Sequence, residues 1–155
     1  MSMPEEYFRA GAGAVVINDR GLVLVLERAD IPGAWQLPQG GLDAEEEPLA
    51  AALRETEEET GIPAGELELL EAYPQPLAYE LPPGARSLRN GRGQVQYWFL
   101  FRFSGSDETI DLLAGGEFRA WRWIPFGQLL ECVADFRRPL YCCLAEGFRR
   151  HLAPN

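Results

Sequence analysis

The chain has 155 residues, 46% of them hydrophobic, and a formal net charge of −10, which suits one domain (1–155) with a real core rather than a disordered chain. All fourteen cationic side chains are arginine, so Schiff-base lysine chemistry is excluded, and so negative a charge argues against non-specific binding of long nucleic acid. The only histidine is His151, and Cys132, Cys142 and Cys143 fit no zinc spacing, which leaves carboxylates, arginine, tyrosine and a metal to carry any chemistry.

In chain order, the start (MSMPEEYFRA) is acidic and lacks an apolar signal core, and no apolar run approaches the roughly 20 residues that span a membrane. A cytoplasmic protein without membrane partners is expected. Residues 12–17 (AGAVVI) and 21–27 (GLVLVLE) read as a hairpin around Asn18-Asp19-Arg20. Trp35-Gln36-Leu37 reads as a short strand running into Pro38, and Leu37 to Gly41 as a tight loop. A helix follows over about 46–60, ended by Gly61. Residues 67–73 read as a strand, and the Pro/Gly/Arg-rich stretch 81–93 as a long functional loop. Residues 94–103 (QVQYWFLFRF) are apolar on both faces, which predicts a central strand of a covered sheet. Another strand spans 118–124. Pro125 opens a short helix over 126–133, and a last helix covers 137–151. The order predicts a mixed sheet between helices, an α/β architecture.

The helix over 46–60 carries the chemistry. Its core reads Arg54-Glu55-Thr56-Glu57-Glu58-Glu59. A glutamate run is ordinarily a solvated helix face, but side chains three and four apart share a side. Glu55, Glu58 and Glu59 are therefore expected to converge, and converging carboxylates repel one another unless a cation sits among them. Such a set suits a hard divalent metal with oxygen ligands. Arg54, four residues before Glu58, is placed to hold a carboxylate, while Leu49, Ala52 and Leu53 mark a packed face.

The segment from Gly40 to Ile62 resembles the Nudix hydrolase box, Gly-x5-Glu-x7-Arg-Glu-U-x-Glu-Glu-x-Gly-U, where U is a bulky aliphatic residue. Gly40, Glu46, Arg54, Glu55, Glu58, Glu59, Gly61 and Ile62 fall on its fixed positions, and Thr56 departs from a usual aliphatic. The resemblance implies an α/β/α sandwich and metal-dependent hydrolysis of a nucleoside diphosphate linked to another group, with Mg²⁺ or Mn²⁺. It makes Glu55, Glu58 and Glu59 metal ligands, with the Gly40 carbonyl as a further one. Glu55, Glu58 and Arg54 are the catalytic candidates, and spacing does not say which glutamate is the base. Glu46 and Gly61 are structural.

Beyond the box, Trp35 to Gly41, Leu77 to Pro82, Gln94 to Phe99, Glu117-Phe118, Trp121 to Trp123 and Phe136 to Tyr141 resemble the subfamily that cleaves diadenosine polyphosphates and 5′-triphosphate RNA ends. That likeness implies Glu117 as an extra metal ligand. It implies Arg9, Arg28, Gln39, Tyr79, Phe136 and Arg137 as substrate contacts, Phe136 and Tyr79 by stacking on a base. Tyr97 stands where the subfamily commonly has lysine, and the loop holds only Arg86, Arg89 and Arg92. Both points favour a dinucleoside polyphosphate such as diadenosine tetraphosphate over an RNA 5′ end. The alternatives are a housecleaning Nudix enzyme acting on a nucleoside triphosphate, ADP-ribose or nucleotide sugar, and a Nudix-fold module that senses a nucleotide without cleaving it. The intact box argues against the second.

Overall fold

A computed structural model describes residues 6–112 and 115–154. Its strands are β1 (Phe8–Ile17), β2 (Val23–Arg28), β3 (Trp35–Gln36), β4 (Gln39–Gly41), β5 (Leu67–Ala72), β6 (Leu77–Glu80), β7 (Gly93–Phe103) and β8 (Phe118–Ile124). The helices are α1 (Pro48–Thr60), α2 (Phe126–Cys132) and α3 (Arg138–Gly147). The main path of the sheet runs β3-β2-β1-β7-β5, with β4 on β1, β6 on β7 and β8 on β2. The sheet is mixed because β1 and β7 run parallel while the other pairs are antiparallel.

Alternation along β1 and β7 divides the core into two layers. Ala12, Ala14, Val16, Phe101 and Phe103 pack with Ala51, Ala52 and Ile62 of the α1 segment. Val15, Ile17, Trp98 and Leu100 pack on the other face with Phe126, Leu129, Tyr141, Leu144 and Phe148 from the α2–α3 side. The sheet thus lies between α1 and the α2–α3 pair, the expected sandwich, and β7 sits inside it, between β1 and β5.

The structure departs from the sequence reading in four places. Proline sets the start of α1 at Pro48, where its fixed φ suits the first turn, so Glu46 stands before the helix. Gln39–Gly41, read as loop, is a strand paired to β1 through Gly11↔Gly41, Ala12↔Gly40 and Gly13↔Gln39. β6 was not expected, because prolines at 74 and 76 and at 82 confine it to four residues. The last helix stops at Gly147 rather than 151, since Phe148 turns out of helical geometry and buries its ring edge-on against Tyr73, with centroids 5.8 Å apart.

The stretch 81–93 folds back on itself. Arg86 donates to the Leu81 carbonyl (2.9 Å), Arg92 pairs with Glu80, and the Tyr7 hydroxyl bonds the Leu88 and Arg89 carbonyls. Among the described residues, no helix is long and apolar enough to cross a membrane.

Candidate active site

β4 and α1 meet edge to face, and the contact is built on glycine. A Cβ on Gly40 would lie 2.1 Å from the Glu55 carboxyl carbon, so only glycine lets that carboxylate lie against the strand. Arg54 then ties the region together. Its guanidinium holds both Glu46 oxygens at 2.8 Å. It also donates to Glu55 (2.9 Å), to Glu58 (3.2 Å) and to the Gly41 carbonyl (2.9 Å). Arginine suits this position because its planar fork carries five donors. Glu46 further accepts the Asp43 amide at 2.9 Å, which closes the turn before the helix. The Arg54 bond, helped by that amide, brings the Glu46 carboxyl down to about 2.

The three helix glutamates do not converge as expected. Glu58 and Glu59 are neighbours in sequence and so stand about 100° apart around the helix. Glu58 faces out, with its side chain 56% exposed, and rests on Arg54. Glu59 is 5% exposed and accepts the Gln39 amide at 3.3 Å. Glu55 lies between them. Arg54 Nη1 bridges Glu55 and Glu58, but no group of three His, Cys, Asp or Glu among the described residues is gathered as a metal cage.

The charges are nevertheless coupled. Burial raises the Glu59 carboxyl well above the usual range, and Glu55 and Glu117 add to the shift. Burial also raises Glu55 against the pull of Arg54, with Glu58 and Glu117 pushing the same way. Glu117, exposed just before β8, therefore faces the two inner glutamates from another element. Buried carboxylates with raised affinity for a proton have a matching demand for another cation. The oxygen-only donor set of Glu55, Glu58, Glu59, Glu117 and the Gly40 carbonyl fits a hard divalent ion.

Glu117 lines a cavity of about 810 Å³ together with Arg9, Arg28, Arg89, Arg137, Gln39, Gln94 and Phe136 among others, and Gln39 of that lining donates its backbone N–H to Glu59. Arg9 lies over Gly41, where a Cβ would come within 2.3 Å of its guanidinium. Arg28 is engaged on both oxygens of Asp30, each at 2.8 Å. The Arg137 guanidinium stands 5.1 Å from the centre of the Phe136 ring and 5.5 Å from that of Tyr79. Base stacking, expected of Tyr79, is not open to it. Its ring is buried under Phe136, with centroids 5.7 Å apart, and does not line the cavity. Tyr79 instead supports the two residues that do. Tyr97 is exposed and also lies outside the cavity lining.

Three residues were missed. Arg89 lines the cavity while Arg86 and Arg92 of the same loop are tied back. Gln94 and Gln96 are polar side chains on the Trp98 face of β7, and the period-two pattern of QVQYWF carried that signal.

The NUDIX domain family model matches residues 7–143. Nudix hydrolase 26, chloroplastic, of Arabidopsis thaliana is 40% identical over 98% of this chain and 74% of its own length. An RNA pyrophosphohydrolase of Cereibacter sphaeroides is 42% identical over 94% of this chain and 93% of its own. Among solved structures, a C. elegans Ap4A hydrolase binary complex superposes with a TM-score of 0.70 at 22% identity, covering 92% of this chain and 98% of that one; this likeness speaks to the fold. The chain belongs to the NUDIX domain family and is a Nudix hydrolase.

Proposed function

We propose that the chain hydrolyses a dinucleoside polyphosphate such as diadenosine tetraphosphate, or the 5′-triphosphate end of an RNA, with Mg²⁺ or Mn²⁺ and by water attack on phosphorus. One observation carries this reading. In a chain of net charge −10, Arg9, Arg28, Arg89 and Arg137 line one cavity that, among the described residues, admits a single carboxylate, Glu117. Gln39 of the same lining reaches the buried Glu59 of α1 through its backbone N–H. Arginine clusters suit phosphate oxygens, which they bind in bidentate fashion. The RNA pyrophosphohydrolase relative supports the RNA end as a substrate class.

In this reading the whole chain acts as one cytoplasmic domain. Glu55, Glu58, Glu59, Glu117 and the Gly40 carbonyl hold the ion. When bound, the ion neutralises phosphate charge and lowers the pKa of water. Arg54 keeps Glu55 and Glu58 in place, and one of these two takes the proton from the attacking water. Arg9, Arg28, Gln39 and Arg137 bind the phosphates, and Phe136 offers its ring to a base.

The test is a substrate panel with purified protein and Mg²⁺: diadenosine tetraphosphate, triphosphorylated RNA, ADP-ribose, nucleotide sugars and nucleoside triphosphates. Turnover of either of the first two, with loss of roughly a hundredfold or more in Glu58→Gln, is the expected outcome. Turnover of ADP-ribose or a nucleotide sugar alone would contradict the substrate class. Tight nucleotide binding without cleavage would favour a sensing module.

A further inference from the structure

Behind Gln39 and Gln94, which line the cavity, lies a polar side chain with no assigned task. Gln96 is 1% exposed, deep in β7 and beside Trp98. A buried amide is costly unless its groups are paired. The Gln96 Nε2 donates to Gln39 Oε1 at 2.6 Å and to Gln94 Oε1 at 2.8 Å. A primary amide nitrogen carries two hydrogens, and both are spent here.

The consequence is directional. With their oxygens taken by Gln96, Gln39 and Gln94 turn their own NH₂ groups away from it. Both residues line the cavity. Gln94 sits across from Arg9 in the parallel β1–β7 register, and the backbone N–H of Gln39 is bonded to Glu59. Among the described residues no protein acceptor takes either NH₂ group. The cavity thus carries two oriented neutral donors, one beside Arg9 and the other beside the inner glutamate.

We propose that Gln96 is a positioning residue that fixes Gln39 and Gln94 as hydrogen-bond donors to the phosphate oxygens of the bound nucleotide. The inference rests on the nucleotide reading of this cavity. It extends the phosphate-binding set from the arginines to neutral amides, whose donors bring no charge that would draw the carboxylates away from an ion.

The same geometry supplies the test. Glutamate at 96 has the same shape but, when ionised, only accepts. In Gln96→Glu the two amides must reverse and present oxygens to the cavity. In Gln96→Met they lose their anchor without being reversed. Binding of the non-hydrolysable adenosine 5′-(β,γ-imido)triphosphate with Mg²⁺, followed by calorimetry, reads affinity without turnover.

Gln96→Met is expected to weaken binding about fivefold and Gln96→Glu about tenfold or more, at roughly one net hydrogen bond per lost donor. In a Gln39→Met/Gln94→Met background, Gln96→Met is expected to change affinity by less than about twofold, because the groups it acts through are gone. A Gln96 residue that merely supported the fold would weaken binding equally in both backgrounds, and that result overturns the proposal. So does unchanged affinity in both single variants. If the Gln96 variants fail to fold, Gln39→Met and Gln94→Met, at the cavity wall, decide the matter. Each is expected to weaken binding about threefold, and no change in either overturns the proposal. A wild type that does not bind the analogue would overturn the nucleotide reading itself, whereas equal binding by wild type and variants overturns this inference alone.

Discussion

Arg54 shows how much one side chain organises. It bonds Glu46, Glu55, Glu58 and the Gly41 carbonyl, so the turn before the helix and two glutamates of the site share one anchor. Its bond to Glu46 has a pH signature. The Glu46 carboxyl is lowered from 4.5 to about 2 in the fold. As pH falls below 4.5 the unfolded chain takes up this proton first, so the stability it contributes is present above 4.5 and is lost as pH falls toward 2. Thermal unfolding of wild type and Glu46→Gln should show the wild type ahead near neutral pH, with the gap closing at acid pH. A gap that stays constant from about pH 7 to about pH 3 would show that Glu46 acts through shape alone. The identities of Arg54 and the glutamates were legible in the sequence. The separation of Glu58 from Glu59 was not, because sharing a helix side within one turn still leaves wide angular room.

At the scale of elements, α1 was the most legible and its edges the least. The stop at Gly61 was readable because the chain there needs φ of 80°. An L-residue meets that conformation at a cost, and a Cβ would also stand 3.1 Å from the Asp111 backbone nitrogen. Gly61→Ala should lose about 1–2 kcal/mol in chemical denaturation, and a neutral result would contradict the reading of this cap. Thr56, the one departure inside the box, proves easy to place: it is fully buried, and its hydroxyl donates to the Ala52 carbonyl at 2.7 Å. The methyl packs and the hydroxyl is satisfied, so the helix keeps its apolar side. β4 and β6 escaped the sequence reading for a different reason. Short strands flanked by glycine and proline carry too few alternating positions to show a period, and pairing with β1 and β7 supplies what local propensity does not.

Over the whole molecule the distribution of charge matters more than its sum. The arginines that line the cavity come from distant parts of the chain, with Arg9 on β1, Arg28 on β2, Arg89 in the long loop and Arg137 just before α3. Their convergence was inferred from family resemblance for Arg9, Arg28 and Arg137, and missed for Arg89, whose loop had no period to read. Arg28 interacts with Glu117 and Glu59, and Arg137 with Glu59, so positive and negative groups share one opening, as the proposed ion and polyphosphate together require. Glu59 is the sharpest point of that arrangement. Burial pushes its carboxyl well up, so a neutral amide of the same shape should be accommodated by the fold. Titration of Mn²⁺ followed by electron paramagnetic resonance, on wild type and on Glu59→Gln, tests the metal-site account most directly. A Glu59→Gln protein that folds normally and binds Mn²⁺ about tenfold or more weakly is the predicted result; a folded variant with unchanged Mn²⁺ affinity would contradict it.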